Sequence, residues 1–197
     1  MPPALGRAKF IQPLAGLLKR YPLLSLEFDL SEGYVDFSQS NTDLAIRIRP
    51  SKQSGIAQNL ITKSPLRYVA ATSYLEGLPR PKAVSELEQH TFIGLKSQAE
   101  RARLLVGSSA AENAITAASR LITNDVSAIL HLVRSGLGIG ILPDFLADEG
   151  LEDGSLQQLF PERNLGALEI FALHPSGLKQ SPKLKAGLAA LRATFDT

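Results

Sequence analysis

The chain has no cysteine, no tryptophan, a single methionine and three histidines among 197 residues. Without cysteine there is no disulfide framework, no thiolate metal site and no thiol nucleophile. The histidines, His90, His131 and His174, stand far apart with no second ligand three or four residues away, so neither a metal site nor a cofactor is expected. No serine is paired with a plausible base and no pair of carboxylates stands out, so no catalytic residue is assigned and enzyme activity is not expected. No run of about 18 apolar residues is long enough to span a membrane. The opening Met-Pro-Pro-Ala-Leu-Gly lacks the charged region and apolar core of a secretory signal. No membrane partner and a cytoplasmic location are therefore expected. Lys and Arg total 21 against 19 Asp and Glu, a net charge of +2, and no run of cations forms a basic stripe. Composition alone thus gives no nucleic-acid surface.

What is present is a globular composition, 44% hydrophobic and 20% charged, on a chain long enough to bury one or two cores. The most informative stretch is 123–143, Thr-Asn-Asp-Val-Ser-Ala-Ile-Leu-His-Leu-Val-Arg-Ser-Gly-Leu-Gly-Ile-Gly-Ile-Leu-Pro. Asn124, Asp125 or Ser127 can accept from the free amides of a first helical turn. Val126, Ile129, Leu130 and Val133 recur at a period near 3.6 residues and supply its apolar face. Gly136 suits the left-handed residue that ends a helix. Leu137, Ile139, Ile141 and Leu142 then form a strand in which Gly138 and Gly140 allow close approach of a neighbour, and Pro143 closes it. The glycines do not make a dinucleotide fingerprint, because they follow a helix, precede a strand and have the wrong spacing.

Elsewhere, Phe10–Arg20 reads as a helix with Pro13 tolerable in its first turn. Leu24, Leu26, Phe28 and Leu30 alternate with polar residues as in a half-buried strand. A short helix around Tyr34–Gln39 and the strand Leu44–Ile48 complete a strand–helix–strand unit, which favours parallel pairing. Leu66–Ala71, Thr91–Ile93 and Leu168–Leu173 read as strands, and Ser85–Gln89 as one helical turn. Leu104–Val106 and Ala114–Thr116 are strand candidates on either side of a turn at Gly107-Ser108-Ser109. Ser181-Pro182 caps a last helix lined by Leu184, Leu188, Leu191 and Phe195. Alternating strands and helices give an α/β fold.

Several segments, in order and spacing, resemble the C-terminal effector-binding domain of LysR-type transcriptional regulators. They are Phe10–Pro22, Val35-Asp36-Phe37 followed by Asp43–Ile48, Leu66–Leu75, Leu132–Pro143, Gly154-Ser155-Leu156 and Ser181–Phe195. Ser40-Asn41 stands where that family commonly has Glu-Gly, and asparagine tolerates the same left-handed turn. The resemblance implies two Rossmann-like lobes of periplasmic-binding-protein type, joined by two crossover strands, with a ligand cleft between them. Lobe I would be 1–66 plus 170–197 and lobe II 67–169. A strand preceding residue 1, a winged helix-turn-helix and a linker helix would all lie outside this chain, and DNA would be reached only through that missing N-terminal domain. The resemblance further implies a small-molecule effector and a homodimer, or a tetramer in the full-length protein.

Within that frame, three helix starts would face the cleft: Pro2-Pro3-Ala4, Gly33-Tyr34 and Asn124–Ser127. Pro3, Tyr34, Arg47, Arg49, Asn124, Asp125 and Ser127 are the candidate effector-binding residues. Amide donors at a helix start favour a carboxylate or another polar group. Asn124, Asp125 and Ser127 serve equally well as caps, and Asp125 in a pocket would favour an effector bearing an amine or hydroxyls. Arg47 and Arg49, at the end of an apolar strand, would grip a carboxylate or form structural ion pairs. Tyr34 would stack on the effector or fill the core. A transport-type solute-binding protein of the same fold is the alternative, and an enzyme on that fold a third reading.

Overall fold

A computed structural model describes residues 1–33, 35–96, 104–105, 114–115 and 119–195. The chain divides into two compact units, Met1–Ser64 with Leu168–Thr197, and Pro65–Ala167. Two strands carry it from one unit into the other: Ile56–Ala71 and Ala167–Pro175.

The first unit opens on a continuous helical stretch. Pro3–Leu5 is α-helical, Gly6–Phe10 is a π turn, and Ile11–Arg20 is α-helical again. The helix therefore starts seven residues before Phe10, where its sequence signal begins. Pro13 does stand in the first turn of the Ile11–Arg20 segment. It offers no amide to the preceding turn, and the wider π turn ahead of it makes room for its ring. β1 (Ala45–Arg47) pairs antiparallel with Ala167–Pro175. The last helix, Pro182–Ala193, lies against Ile11–Arg20. Phe10 and Phe195 meet edge to face at 5.7 Å, so the start of one helix lies at the end of the other and the two run antiparallel. Phe10, Leu14, Ile46, Ile170, Leu184 and Leu191 are buried in this unit. Pro182 takes the first helical position, and the side chain of Ser181 makes no cap bond. The cap expected there comes from the proline's fixed φ alone.

Two expected elements of this unit are not formed. Leu24–Leu30 is not a strand and no helix spans 35–39. The parallel strand–helix–strand unit is consequently absent among the described residues. Leu24, Leu26, Phe28 and Leu30 are half-buried while Ser25, Glu27 and Asp29 are exposed, so the two-residue alternation is real. Alternation reports which side meets the core and is silent on hydrogen-bond partners. At 36–40 a side chain outcompetes the helix. Asp36 Oδ1 accepts the amide and hydroxyl of Ser38 at 2.8 and 2.6 Å, and the Asp36 carbonyl accepts the Ser40 amide at 3.0 Å. The Ser38 bonds hold the Asp36 carboxyl below its ordinary pKa.

In the second unit, the end of β2 (Ile56–Ala71) lies between β7 (Ile139–Pro143) and β8 (Leu156–Leu159), antiparallel to both. β3 (Phe92–Leu95) pairs in parallel with β7 on one side and β6 (Ser119–Thr123) on the other. A short antiparallel pair, β4 (Leu104–Leu105) and β5 (Ala114–Ile115), completes the described strands; the intervening turn lies outside the described residues. Tyr68, Val69, Ala70 and Ala71 are buried in succession, which requires cover on both faces of the sheet. Tyr68 meets Phe160 edge to face at 5.7 Å. Val84–Gln89 forms a 3-10 turn, matching the expected helical turn at 85–89.

Residues 123–143 fold as a helix and then a strand as their pattern dictates, but the strand is Ile139–Pro143: Leu137, expected in it, is exposed in the bend that follows the helix, and Pro143 is the strand's last residue. Helix Val126–Arg134 buries Ile129 and Val133, and Gly136 follows its last turn with φ of +70°. A Cβ on Gly138 would collide with the main-chain oxygen of Thr91, and one on Gly140 would stand 2.7 Å from Ile129. Each glycine makes room for a different neighbour. Thr72–Glu76, β6, Asp144–Glu152 and β8 have no counterpart in the sequence reading. Pro143 conceals Asp144–Glu152, because it ends one element and is also the residue on which the next begins.

Candidate functional site

In the first unit, the helical stretch begins at Pro3, and the Gly6 amide bonds the Pro2 carbonyl at 2.9 Å. Pro3 has no amide, so the unpaired donors of this start belong to Ala4 and Leu5. Both residues are buried. Arg47 closes β1 nearby. Its Nη1 donates to the Ile46 carbonyl at 2.8 Å and the Ser31 carbonyl at 3.4 Å. Burial lowers the Arg47 pKa from its ordinary value, while the charges of Asp29 and Glu32 act in the opposite direction. The Met1 amine donates to the Asp29 carbonyl at 2.6 Å and is influenced by the Arg47 charge. The structure thus gathers the Pro3 helix start, Asp29, Ser31 and Arg47. Arg49 is not among them; it is exposed in the bend after β1. Tyr34 lies outside the described residues, and no helix begins at Gly33 or Val35.

In the second unit, Asn124, Asp125 and Ser127 occupy the turn between β6 and helix Val126–Arg134. Thr123 pairs with Leu95 in the parallel ladder, so this turn stands at the carboxyl ends of β6 and β3. Open α/β sheets receive ligands at that edge. Asp125 is the cap: its Oδ1 accepts the Ser127 amide at 2.8 Å. Thr123 Oγ1 in turn accepts the Asp125 amide at 3.1 Å. Thr123 was not singled out from the sequence, although a hydroxyl two residues ahead of a cap is a recognisable turn signal. Asn124 is exposed and Ser127 half-buried.

Two polar arrangements lie apart from these helix starts. The Thr91 amide donates to Tyr74 Oη at 3.1 Å, and that hydroxyl is 3.3 Å from His90 Nδ1. His174, 2% exposed, sits 3.3 Å from Asn59 Nδ2 through Nε2 and 2.9 Å from the Pro175 carbonyl through Nδ1. A carbonyl only accepts, so Nδ1 carries the proton and Asn59 donates to Nε2. Among the described residues no three His, Cys, Asp or Glu side chains cluster as a metal site. No helix among them is long and apolar enough to cross a membrane.

The profile of a family described as the LysR substrate binding domain matches residues 1–196. The HTH-type transcriptional activator TtdR of Escherichia coli strain K12 is 28% identical over 189 residues, covering 95% of this chain and 61% of that protein. An uncharacterized HTH-type transcriptional regulator of Haemophilus influenzae is 26% identical over 168 residues, covering 85% of this chain and 58% of its own. The chain therefore spans about six-tenths of the length of these curated relatives. Among solved structures, the regulatory domain of CrgA, a LysR-type transcriptional regulator from Neisseria meningitidis, superposes with a TM-score of 0.83 at 25% identity. That match covers 98% of this chain and 94% of the CrgA domain.

Proposed function

The chain belongs to the LysR substrate-binding domain family, and on that premise we propose that it is the effector-sensing part of a DNA-binding transcriptional regulator. The supporting observation is a family match over nearly the whole chain, together with relatives named as HTH-type regulators and activators. A transport-type solute-binding role has no comparable support. The family is one of transcriptional regulators and not of enzymes.

The effector in this reading is a small polar or carboxylate-bearing molecule. In the first unit its contacts are the Ala4 and Leu5 amides at the Pro3 helix start, together with Arg47. In the second unit, Asn124, Asp125 and Ser127 at the carboxyl edge of the sheet are a candidate contact set in their own right. Arg49, just past the end of β1, and Tyr34, whose ring could stack on the effector, complete the proposed set. The protein acts in the cytoplasm, assembles as a homodimer, and transmits ligand binding to a helix-turn-helix domain.

A thermal-shift screen over amino acids, aromatic acids and dicarboxylates tests the sensing role. A true effector at 100 times its dissociation constant stabilises the native state by roughly 2.7 kcal/mol. The reading fails if none of these classes shifts the melting temperature, or if a stabilising compound is turned over. A strictly monomeric mass by light scattering at high concentration contradicts the dimer.

A further inference from the structure

β2 is 16 residues long, and its two halves are not paired alike. Its end lies between β7 and β8, where Tyr68, Val69, Ala70 and Ala71 are all buried. Its beginning has Ala167–Pro175 on one side, tied to it by the 2.7 Å ion pair of Lys63 with Glu169 and by Asn59 with His174. Among the described residues no strand pairs with the other edge of 57–63, the stretch between the first residue of β2 and the fully buried Ser64. None of the residues 57–63 is buried. Ser51, in the preceding loop, bonds the Gln58 side chain through its amide and carbonyl, at 3.1 and 3.3 Å, and not the main chain of the strand.

Open strand edges are ordinarily guarded by charge, proline or a bulge, because their main chain is a template for another strand. Here the guards are missing or neutralised. Residues 56–62, Ile-Ala-Gln-Asn-Leu-Ile-Thr, carry no charge, no proline and no glycine. That is the composition of segments that pair with their own kind. Lys63 is the only charged residue of the stretch, and Glu169 at 2.7 Å balances it. Pro65 stands just past it, so it limits the length of the edge without blocking it. Leu60, in the middle, is 43% exposed.

We propose that the stretch 57–63 pairs edge to edge with the same stretch of a second copy of this chain, antiparallel about a two-fold axis at Leu60. This contact is additional to any that makes the homodimer, and it does not rest on the effector reading. Symmetry sets the register: an antiparallel pairing that uses the whole stretch is centred on its middle residue, Leu60. Leu60 then covers its own twin, Gln58 meets Thr62, Asn59 meets Ile61, and Lys63 meets Ala57. No charge opposes a like charge, and the exposed leucine gains an apolar partner. A parallel, in-register pairing sets Lys63 against Lys63 and is disfavoured by the same rule.

The test is sedimentation velocity of the 197-residue chain at concentrations up to about 1 mM, because so short a pairing is a small, weak contact. The expected result is a reversible, concentration-dependent association step. Leu60→Lys and Leu60→Glu each place like charges on the axis and should weaken that step about tenfold. An equimolar mixture of the two, left to exchange, should recover it, a result that misfolding cannot produce. Leu78→Lys, at a leucine 42% exposed and away from the strand, should associate like the parent. Because the chain has no cysteine, Leu60→Cys gives an independent readout. Its thiols meet at the axis and should join as a disulfide on mild oxidation with diamide, whereas those of Leu78→Cys should not. The absence of any association step that the Leu60 variants weaken overturns the proposal, and so does an equal loss in Leu78→Lys. Weakening without recovery in the mixture, or no preferential cross-link in Leu60→Cys, also overturns it, because the edge then meets a different register or a different partner.

Discussion

The carboxylate of Asp125 accepts the amide of Ser127 at 2.8 Å, which makes a proposed ligand contact and a helix cap the same group. Any anionic ligand at this helix start competes with a charge already bound to one of its donors. Asp125→Ala should cost about 1 kcal/mol through loss of the cap, while Asp125→Asn should cost a few tenths. Urea unfolding measures both. If the site takes a carboxylate, Asp125→Asn should also tighten it, read as a larger thermal shift.

Gly138 and Gly140 differ in what surrounds them. A Cβ at Gly138 meets the Thr91 main-chain oxygen, which also accepts the Ile139 amide at 2.9 Å. Gly138→Ala should therefore lower stability by roughly 2–4 kcal/mol. Gly140→Ala meets only the methyl groups of Ile129 and Val133, so it should cost less, about 1–3 kcal/mol. Equal losses would show that both sites repack alike.

Tyr68 is 1% exposed and its hydroxyl has no partner among the described residues. Burial pushes its phenol up to about 12 from 10.0. An acid weakened by folding stabilises the protonated native state, so its contribution is complete below pH 10 and is lost as pH rises toward 12. The slope at full effect is about 1.4 kcal/mol per pH unit. Tyr68→Phe should flatten this loss and, by removing an unpaired hydroxyl, leave stability at neutral pH unchanged or up to about 1 kcal/mol higher. Ultraviolet titration combined with chemical unfolding follows both effects.

Arg47 ties β1 to the Ser31 carbonyl and stands among Asp29 and Glu32. Arg47→Lys keeps the charge and loses the forked donor set, so unfolding free energy should fall by about 1 kcal/mol. If Arg47 also holds a ligand carboxylate, the same variant should weaken binding beyond that stability loss, measured by calorimetry.

The sequence pattern located elements best where two signals coincided. Residues 123–143 have a cap, a helical period and a terminating glycine, and all three fall where the structure has them. At Leu24–Leu30 a single signal was available, and it described exposure without pairing. Asp144–Glu152 is not legible because Pro143 both ends the strand and caps the helix that follows. Asp125 was legible as a cap, but whether it also meets a ligand depends on chemistry outside the chain.

Whether the proposed helix starts bind a small molecule is tested most directly by the amide NMR spectrum during titration with any compound that raises the melting temperature. Saturable shifts are expected at Ala4 and Leu5 together with the Arg47 side-chain resonance, or at Asn124 through Ser127. Saturable shifts confined to other residues, with these unmoved, would contradict the proposal.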